Sequence, residues 1–209
     1  MSDRLQFPDG AFDRIDGEED EFFYEPPRLV LHIDEGAVAA LTAYYREALP
    51  PDGVVLDLMS SWVSHLPPEI AYAEVIGHGM NATELAANPR LGRWFVRNLN
   101  QTPDLPLGDA CVDAVTICVS IQYLQQPVAV MREIERVLRP GGLVAISFSN
   151  RCFWTKAVAI WRSLDDAGHA RLVSLYLAEA GFDAVETRQL AEWIEDERDP
   201  LYVVTGRKP

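Results

Sequence analysis

Residues 128–148 read VAVMREIERVLRPGGLVAISF and join a helix pattern to a strand pattern. The apolar residues between Val130 and Leu138 recur at helical spacing, and charged residues occupy the opposite face. Pro-Gly-Gly at 140–142 is expected to end this helix and turn the chain. Residues 143–148 then form a short apolar run, which is typical of a strand buried on both faces. A helix leading into such a strand favours a parallel sheet with helical crossovers.

Similar apolar runs precede this stretch, and helix patterns lie between them. Asp34 is a suitable N-cap for a helix over about residues 35–48, and a further helix is predicted over about 167–180, ending at Gly181. The alternation predicts an α/β fold with a doubly wound, mostly parallel sheet in one domain. The other predicted strands are residues 54–58, 72–76, 94–96, 114–119, 182–187 and 201–205, of which the last two suit an antiparallel hairpin.

Charge and composition limit the classes of partner. The 209 residues carry a net charge of -14, which is the wrong sign for binding a phosphate backbone or an anionic membrane. No apolar stretch approaches the roughly 18 residues that a membrane helix needs, so a cytoplasmic protein is expected. The three cysteines are scattered, without the paired spacing of a zinc site, and no metal is expected.

The negative charge is concentrated near the N-terminus. The first 25 residues contain nine acidic residues and two arginines. This pattern predicts that residues 1–20 are an acidic, mobile leader. Residues 21–209 are then the folded domain, of which residues 21–50 form an N-terminal cap segment.

Polar and small residues follow the predicted strands where each one ends. In an open α/β sheet, ligands bind beyond the carboxyl ends of the strands, so these residues are candidates for a binding site. The sequence has no Gly-x-Gly-x-x-Gly motif, which argues against a dinucleotide site. Several candidates also have a plain structural interpretation, since Asp57, Ser60 and Asn81 are good helix caps and Asn98 is a good turn residue.

Two segments of the chain are similar to a known family. Residues 104–115, DLPLGDACVDAV, and residues 134–144, IERVLRPGGLV, closely resemble class I methyltransferases that depend on S-adenosylmethionine, and more narrowly the methyltransferase type 11 group. The resemblance extends over about residues 36–150. It implies a seven-stranded sheet with an antiparallel last strand, and S-adenosyl-L-methionine as cofactor.

The resemblance also implies which residues contact the cofactor. Position by position, the turn after the first strand faces the methionine part and the end of the second strand binds the ribose. Asn98 and Leu99 flank the adenine, and Val119 and Ser120 line the cofactor beyond the fourth strand. Two departures stand out: Met-Ser-Ser replaces the usual glycines of the first turn, and Gly79 stands where a ribose-binding carboxylate is usual. The implied cofactor-binding residues are Asp57, Met59, Ser60, Ser61, Gly77, Gly79, Met80, Asn81, Asn98, Leu99, Val119 and Ser120.

Four further residues are candidates for the acceptor side. We expect Tyr24, His32 and Tyr123 to shape the acceptor site, with His32 or His65 as the base where one is needed. Packing of the cap segment is an equally good explanation for Tyr24 and His32. The predicted activity is methyl transfer to an O, N or S nucleophile of a small molecule. The alternative is a non-catalytic protein of the same fold that senses a ligand or binds a partner.

Overall fold

Seven strands form the central sheet of the computed structural model, which describes residues 7–195 and 198–209. Their spatial order is β3-β2-β1-β4-β5-β7-β6. All neighbouring strands pair in parallel except β7, which is antiparallel to both β5 and β6. The strands are β1 Val54–Leu58, β2 Glu74–Gly79, β3 Arg93–Val96, β4 Val112–Cys118, β5 Leu138–Ser149, β6 Asp183–Ala191 and β7 Leu201–Arg207.

Helices connect the strands, and their ends follow local capping rules. The Asp34 side chain accepts a hydrogen bond from the Ala37 amide at the start of α2, and Gly181 ends α6 with a left-handed φ of 96°. The helices are α1 Asp20–Tyr24, α2 Glu35–Ala48, α3 Ala82–Ala87, α4 Pro127–Val137, α5 Ala159–Arg162 and α6 Asp166–Ala180, and residues Ile121–Tyr123 form a short 3₁₀ helix.

The predicted fold class is confirmed, with one local difference at the start of β5. Pro-Gly-Gly was expected to be a turn before the strand, but the strand already begins at Leu138, opposite Val112 of β4. The reason is backbone pairing: Gly141 N–H donates to the Lys208 carbonyl and Lys208 N–H donates to the Gly142 carbonyl. The two glycines therefore extend the sheet towards the C-terminal end of the described chain.

Helices cover both faces of the sheet and divide the core into two layers. On one side, Ala37, Leu41 and Tyr45 of α2 pack against residues such as Val55. On the other side, α4 and α6 pack against residues such as Leu56. Successive strand residues point to opposite faces, so a strand buried on both faces needs the continuous apolar run that the sequence shows. The carboxyl ends of the parallel strands remain available for a site.

Residues 7–20 pack along the domain. Phe7 and Phe12 lie 5.7 and 6.4 Å from the ring of Tyr176 on α6, measured between ring centroids. The backbone amides of Ala159 and Ile160 donate to carbonyl groups of this N-terminal stretch. The part of the predicted mobile leader that covers residues 1–6 lies outside the described residues.

A buried lysine anchors the same stretch. Lys156 is fully buried, and its Nζ donates to the Glu18 carbonyl at 2.8 Å. It also lies 3.3 Å from an Asp16 carboxylate oxygen and 3.7 Å from one of Asp20, which Arg14 also contacts. A charge removed from water must be paired, and the acidic residues near the N-terminus provide the pairing. These carboxylates therefore help to fix the N-terminal stretch on the domain.

Two kinds of feature are absent from the described residues. No helix among them is both long and apolar enough to cross a membrane. No group of three or more His, Cys, Asp and Glu side chains within residues 7–195 and 198–209 is arranged to hold a metal ion.

Candidate cofactor and acceptor site

A cavity of about 240 Å³ lies at the carboxyl ends of β1, β2 and β4. Residues 20–32, which we call the N-terminal cover, contribute part of its wall. Thirteen of the sequence-predicted site residues line it: Tyr24, His32, Met59, Ser60, Ser61, Gly79, Met80, Asn81, Asn98, Leu99, Val119, Ser120 and Tyr123. The structure therefore brings together most of the residues that the strand-end argument selected.

The turn after β1 keeps the backbone shape of a glycine turn without the glycines. Met59 has a φ of 57°, a left-handed conformation that is costly for a residue with a side chain. The Ser60 amide donates to the His78 carbonyl at 2.6 Å, which holds the turn against β2. As a result, the Ser60 carbonyl lies 2.6 Å from the place where a Cβ on Gly79 would stand. The turn after β1 therefore occupies the space that a carboxylate side chain at position 79 would need.

His78 fixes the turn from inside the sheet. Its Nδ1 accepts a hydrogen bond from the Met59 amide at 3.1 Å, and its Nε2 lies 2.9 Å from the Arg97 carbonyl. Both contacts are satisfied by a neutral ring that carries its proton on Nε2. Burial lowers the pKa of His78 to about 4, so this neutral form persists at neutral pH.

Three of the predicted site residues do not line the cavity. Asp57 is buried below the turn, where it accepts hydrogen bonds from Ser60 and Thr116 at 2.5 and 3.0 Å. Burial raises the pKa of Asp57 to about 6. Gly77 lies within β2, where the Leu91 side chain would contact any Cβ. The strand-end rule predicted where Asp57 and Gly77 lie along their strands. Because successive residues of a strand face opposite sides, neither residue presents a side chain to the cavity.

His65 also lies outside the cavity wall. Its carbonyl accepts a hydrogen bond from the Thr42 hydroxyl, and its backbone is left-handed with a φ of 53°. Burial lowers the pKa of His65 to about 4. Of the two histidines proposed as a base, His32 is therefore the one whose side chain lines the cavity.

Asn81 caps a helix, which is one of its two predicted roles, and it also lines the cavity. Its side-chain oxygen caps α3 by accepting from the Thr83 and Glu84 amides. Its amide nitrogen donates to the carbonyls of Tyr24 and Glu25, each at 2.9 Å. This residue therefore ties the N-terminal cover to the end of β2 as well as lining the cavity.

Glu84 is a cavity residue that the sequence argument missed. Its two carboxylate oxygens accept hydrogen bonds from the Ser61 hydroxyl and from the Arg28 amide, each at 2.6 Å. It supplies a carboxylate close to the strand end where Gly79 has none. The sequence did contain an indication of this role. Glu84 lies three residues after the Asn81 cap, in the first turn of the helix that follows β2.

The acceptor side of the cavity is aromatic. The rings of His32 and Tyr123 lie 5.7 and 5.8 Å from the Phe153 ring, and the Tyr123 hydroxyl accepts the Phe153 amide at 2.8 Å. Burial lowers the pKa of His32, which leaves its ring neutral at neutral pH. Burial raises the pKa of Tyr24 and of Tyr123, so both phenols keep their protons. Among these groups, only His32 has a free-base form at neutral pH.

The charged groups of the wall differ in sign from the whole chain. Arg28, Arg97 and Arg151 line the cavity together with the carboxylates of Asp20 and Glu84. The wall therefore has one positive charge in excess, whereas the chain has a net charge of -14. Arg151 is paired with Asp199, so Arg28 and Arg97 are the cations of this wall that form no ion pair among the described residues.

The cavity fits a nucleoside that carries an amino acid, such as S-adenosylmethionine, in its position and in its polar groups. The oxygen atoms of the Ser60, Ser61 and Ser120 hydroxyls and the Glu84 carboxylate provide hydrogen-bond acceptors on the side of β1 and β2. Asn98 and Leu99 line the cavity on the side of β3. The fit uses hydroxyls and Glu84 in place of the usual glycine turn and β2 carboxylate.

Comparison with known proteins agrees with this geometry. Residues 60–146 match a family model described as a methyltransferase domain. Within that range, the chain is similar to a methyltransferase domain. The strands β1, β6 and β7 of the same sheet lie outside the matched range, as does the N-terminal cover that completes the cavity.

One curated relative is similar to part of this chain. A malonyl-[acyl-carrier protein] O-methyltransferase of Hahella chejuensis is 26% identical over 136 residues, which are 62% of this chain and 48% of that protein. The chain thus spans about half the length of that relative.

Two solved structures share the fold at low sequence identity. The [4+2]-cyclase SpnF has a TM-score of 0.63 and 16% identity, with 88% of this chain and 89% of that chain covered. A possible histamine N-methyltransferase of Thermotoga maritima, described as dependent on S-adenosylmethionine, has a TM-score of 0.60 and 17% identity, with 83% and 91% covered. At this identity the likeness concerns the fold alone.

Proposed function

We propose that this protein is an S-adenosylmethionine-dependent methyltransferase that acts on an O, N or S nucleophile of a small molecule. The observation that carries the proposal is the cavity at the carboxyl ends of β1, β2 and β4, within a domain of the methyltransferase family. A small acceptor is favoured because residues of the N-terminal cover lie across this cavity and limit its size.

The cofactor, when bound, supplies an activated methyl group, so the protein mainly has to orient the acceptor and exclude water. We assign the Glu84 carboxylate and the Ser61 hydroxyl to the hydroxyl-rich part of the cofactor. Asn98, Leu99 and Asn100 then flank its base. Phe153, Tyr123 and the N-terminal cover form the wall that keeps water from the acceptor.

His32 is the residue that we propose as the proton acceptor for an acceptor that must be deprotonated. Its lowered pKa keeps it neutral at neutral pH, and its ring lies against Phe153 on the acceptor side. Tyr24 and Tyr123 keep their protons and therefore act as hydrogen-bond donors or as packing groups.

One observation favours a second candidate, a non-catalytic protein that binds a ligand in the same cavity. The close contact between the Ser60 carbonyl and Gly79 leaves no room for the usual ribose-binding side chain on β2. A protein that had lost the need for the cofactor would tolerate such a contact. The two candidates differ in whether the cofactor binds and whether its methyl group is transferred.

Calorimetric titration of the full chain with S-adenosylmethionine and S-adenosylhomocysteine tests the proposal. We expect a Kd in the micromolar range or tighter, which is about −8 kcal/mol or better. Glu84→Gln is expected to weaken binding at least tenfold, because it removes the negative charge and replaces one accepting oxygen with an NH₂ donor. Glu47→Gln, on the exposed side of α2, is the matched control and is expected to bind like the wild type.

Transfer is then measured with labelled S-adenosylmethionine and a metabolite extract separated into small-molecule and protein fractions. Label in a small-molecule product supports the proposed function. Cofactor binding without transfer to the small-molecule fraction contradicts it and favours the non-catalytic candidate. Absence of binding by a folded protein refutes the role of the cofactor altogether.

A further inference from the structure

Arg28 has a position in the cavity wall that differs from that of the paired arginines of this protein. Its guanidinium carbon lies 4.5 Å from the centre of the Phe23 ring and 5.3 Å from that of Phe153. Contacts with two aromatic faces hold the planar cation in a fixed orientation. Its one side-chain hydrogen bond among the described residues is from Nη2 to the Phe23 carbonyl at 2.8 Å.

The Arg28 guanidinium forms no ion pair with a carboxylate in the described part of the chain. Arg93, Arg136 and Arg151 each form an ion pair with Asp or Glu. Glu84 approaches residue 28 only at its backbone amide, where the hydrogen bond is 2.6 Å. A half-buried guanidinium with several N–H groups left over and no counter-ion is a group prepared to receive an anion.

The direction of the side chain assigns this anion to the acceptor. The Arg28 backbone lies beside Glu84 on α3, but its guanidinium extends to Phe153, which follows β5. Phe153 also contacts His32 and Tyr123, the residues of the acceptor side. An anion bound to Arg28 therefore lies next to the proposed base and away from the turn after β1.

We propose that the acceptor carries a carboxylate, and that Arg28 binds this carboxylate and thereby determines which acceptors are used. A carboxylate matches the fork of a single guanidinium with two parallel hydrogen bonds. A doubly charged phosphate is disfavoured, because the carboxylates of Asp20 and Glu84 line the same cavity and would repel it. This proposal rests on the proposed function, since it names the class of acceptor of the same site.

The test uses matched pairs of probes that differ only in charge. Benzoate is compared with benzamide, and hexanoate with hexanamide, by calorimetry on the full chain with and without saturating S-adenosylhomocysteine. We expect at least one carboxylate to bind at least tenfold more tightly than its amide. Arg28→Gln is expected to remove this preference, and Arg28→Lys to keep part of it. Arg171→Gln, at an exposed position on α6, is the control and keeps the wild-type preference.

Other outcomes overturn the proposal in distinguishable ways. No carboxylate preference in a wild type that binds S-adenosylhomocysteine contradicts the carboxylate acceptor and leaves the proposed function standing. If Arg28→Gln weakens S-adenosylhomocysteine but not 5′-methylthioadenosine, Arg28 binds the carboxylate of the cofactor instead. An Arg28-dependent carboxylate preference in a protein that binds no cofactor refutes the proposed function alone. The melting temperature of each variant shows that it is folded.

Discussion

His78 accepts the Met59 amide through one ring nitrogen and contacts the Arg97 carbonyl through the other. Only the neutral ring satisfies both contacts, because a protonated ring would direct an N–H at the Met59 N–H. The shape of the turn after β1 therefore depends on the protonation state of one buried histidine. This dependence has a measurable sign.

We expect the contribution of His78 to the free energy of unfolding to fall as pH falls, whereas the raised pKa of Asp57 contributes in the opposite direction. The pKa of His78 is about 4 in the folded protein and about 6.5 in the unfolded chain, so between these values the unfolded chain binds more protons. From pH 7 to pH 5 this one group removes about 2 kcal/mol. His78→Asn keeps an acceptor near Met59 but does not titrate, so its urea midpoint is expected to change less over this range. Equal pH dependence in both proteins would contradict the assignment. His65 keeps some dependence in the variant, since its pKa is also about 4.

At the level of elements, the stretch before α1 and the segment after β5 are joined by buried charges. Lys156 lies after β5, whereas Asp16 and Asp20 lie at the N-terminal side of the cavity. Asp20 also accepts a hydrogen bond from Asn100, which connects the same cluster to the segment after β3. Three separate parts of the chain therefore meet at one edge of the cavity.

Lys156→Met is expected to lower the free energy of unfolding by about 3 kcal/mol, because it leaves the buried Asp20 carboxylate with less compensation. Hydrogen exchange of residues 11–24 is expected to become faster, while exchange of β1 and β4 stays slow. Lys208→Met is the control, since its Nζ donates to the Glu135 carbonyl far from this cluster. Equal exchange in residues 11–24 of the two variants would show that Lys156 does not hold the N-terminal stretch.

At the level of the whole molecule, ligand binding and stability are linked through the N-terminal cover. A ligand that binds only the folded chain is expected to raise the free energy of unfolding by about 2.7 kcal/mol at a concentration of 100 times its Kd. With S-adenosylhomocysteine we expect slower hydrogen exchange in residues 20–32 and in α3 together, because Asn81 and Glu84 join them. Protection of α3 without protection of residues 20–32 would contradict a site closed by the cover.

The parts of the fold that were predictable are those encoded by neighbouring residues. The helix over residues 35–48 follows from one cap, one apolar face and a pair of prolines, and the structure has the same limits. The strand over residues 54–58 is likewise as predicted. These patterns depend on the chain within a few residues of each position.

The site was predictable only to the level of strand ends. The strand-end rule selected Met59 and Asn81 correctly, but it also selected Gly77, because it does not specify which face a side chain occupies. The hydrogen bond from the Arg28 backbone amide to Glu84 joins residues 56 positions apart, and no local sequence pattern indicates such a contact. Long-range convergence of this kind requires the three-dimensional structure.

The N-terminal cover has a practical consequence for anyone who shortens this protein. Four cavity residues, Asp20, Tyr24, Arg28 and His32, precede the first strand, and all four lie outside the 60–146 range that sequence matching selects. A fragment cut to that range would lose one wall of the site and the strands β1, β6 and β7. Affinity tags are therefore best separated from Phe7 by a spacer, and library mutagenesis aimed at new acceptors should begin at residue 20.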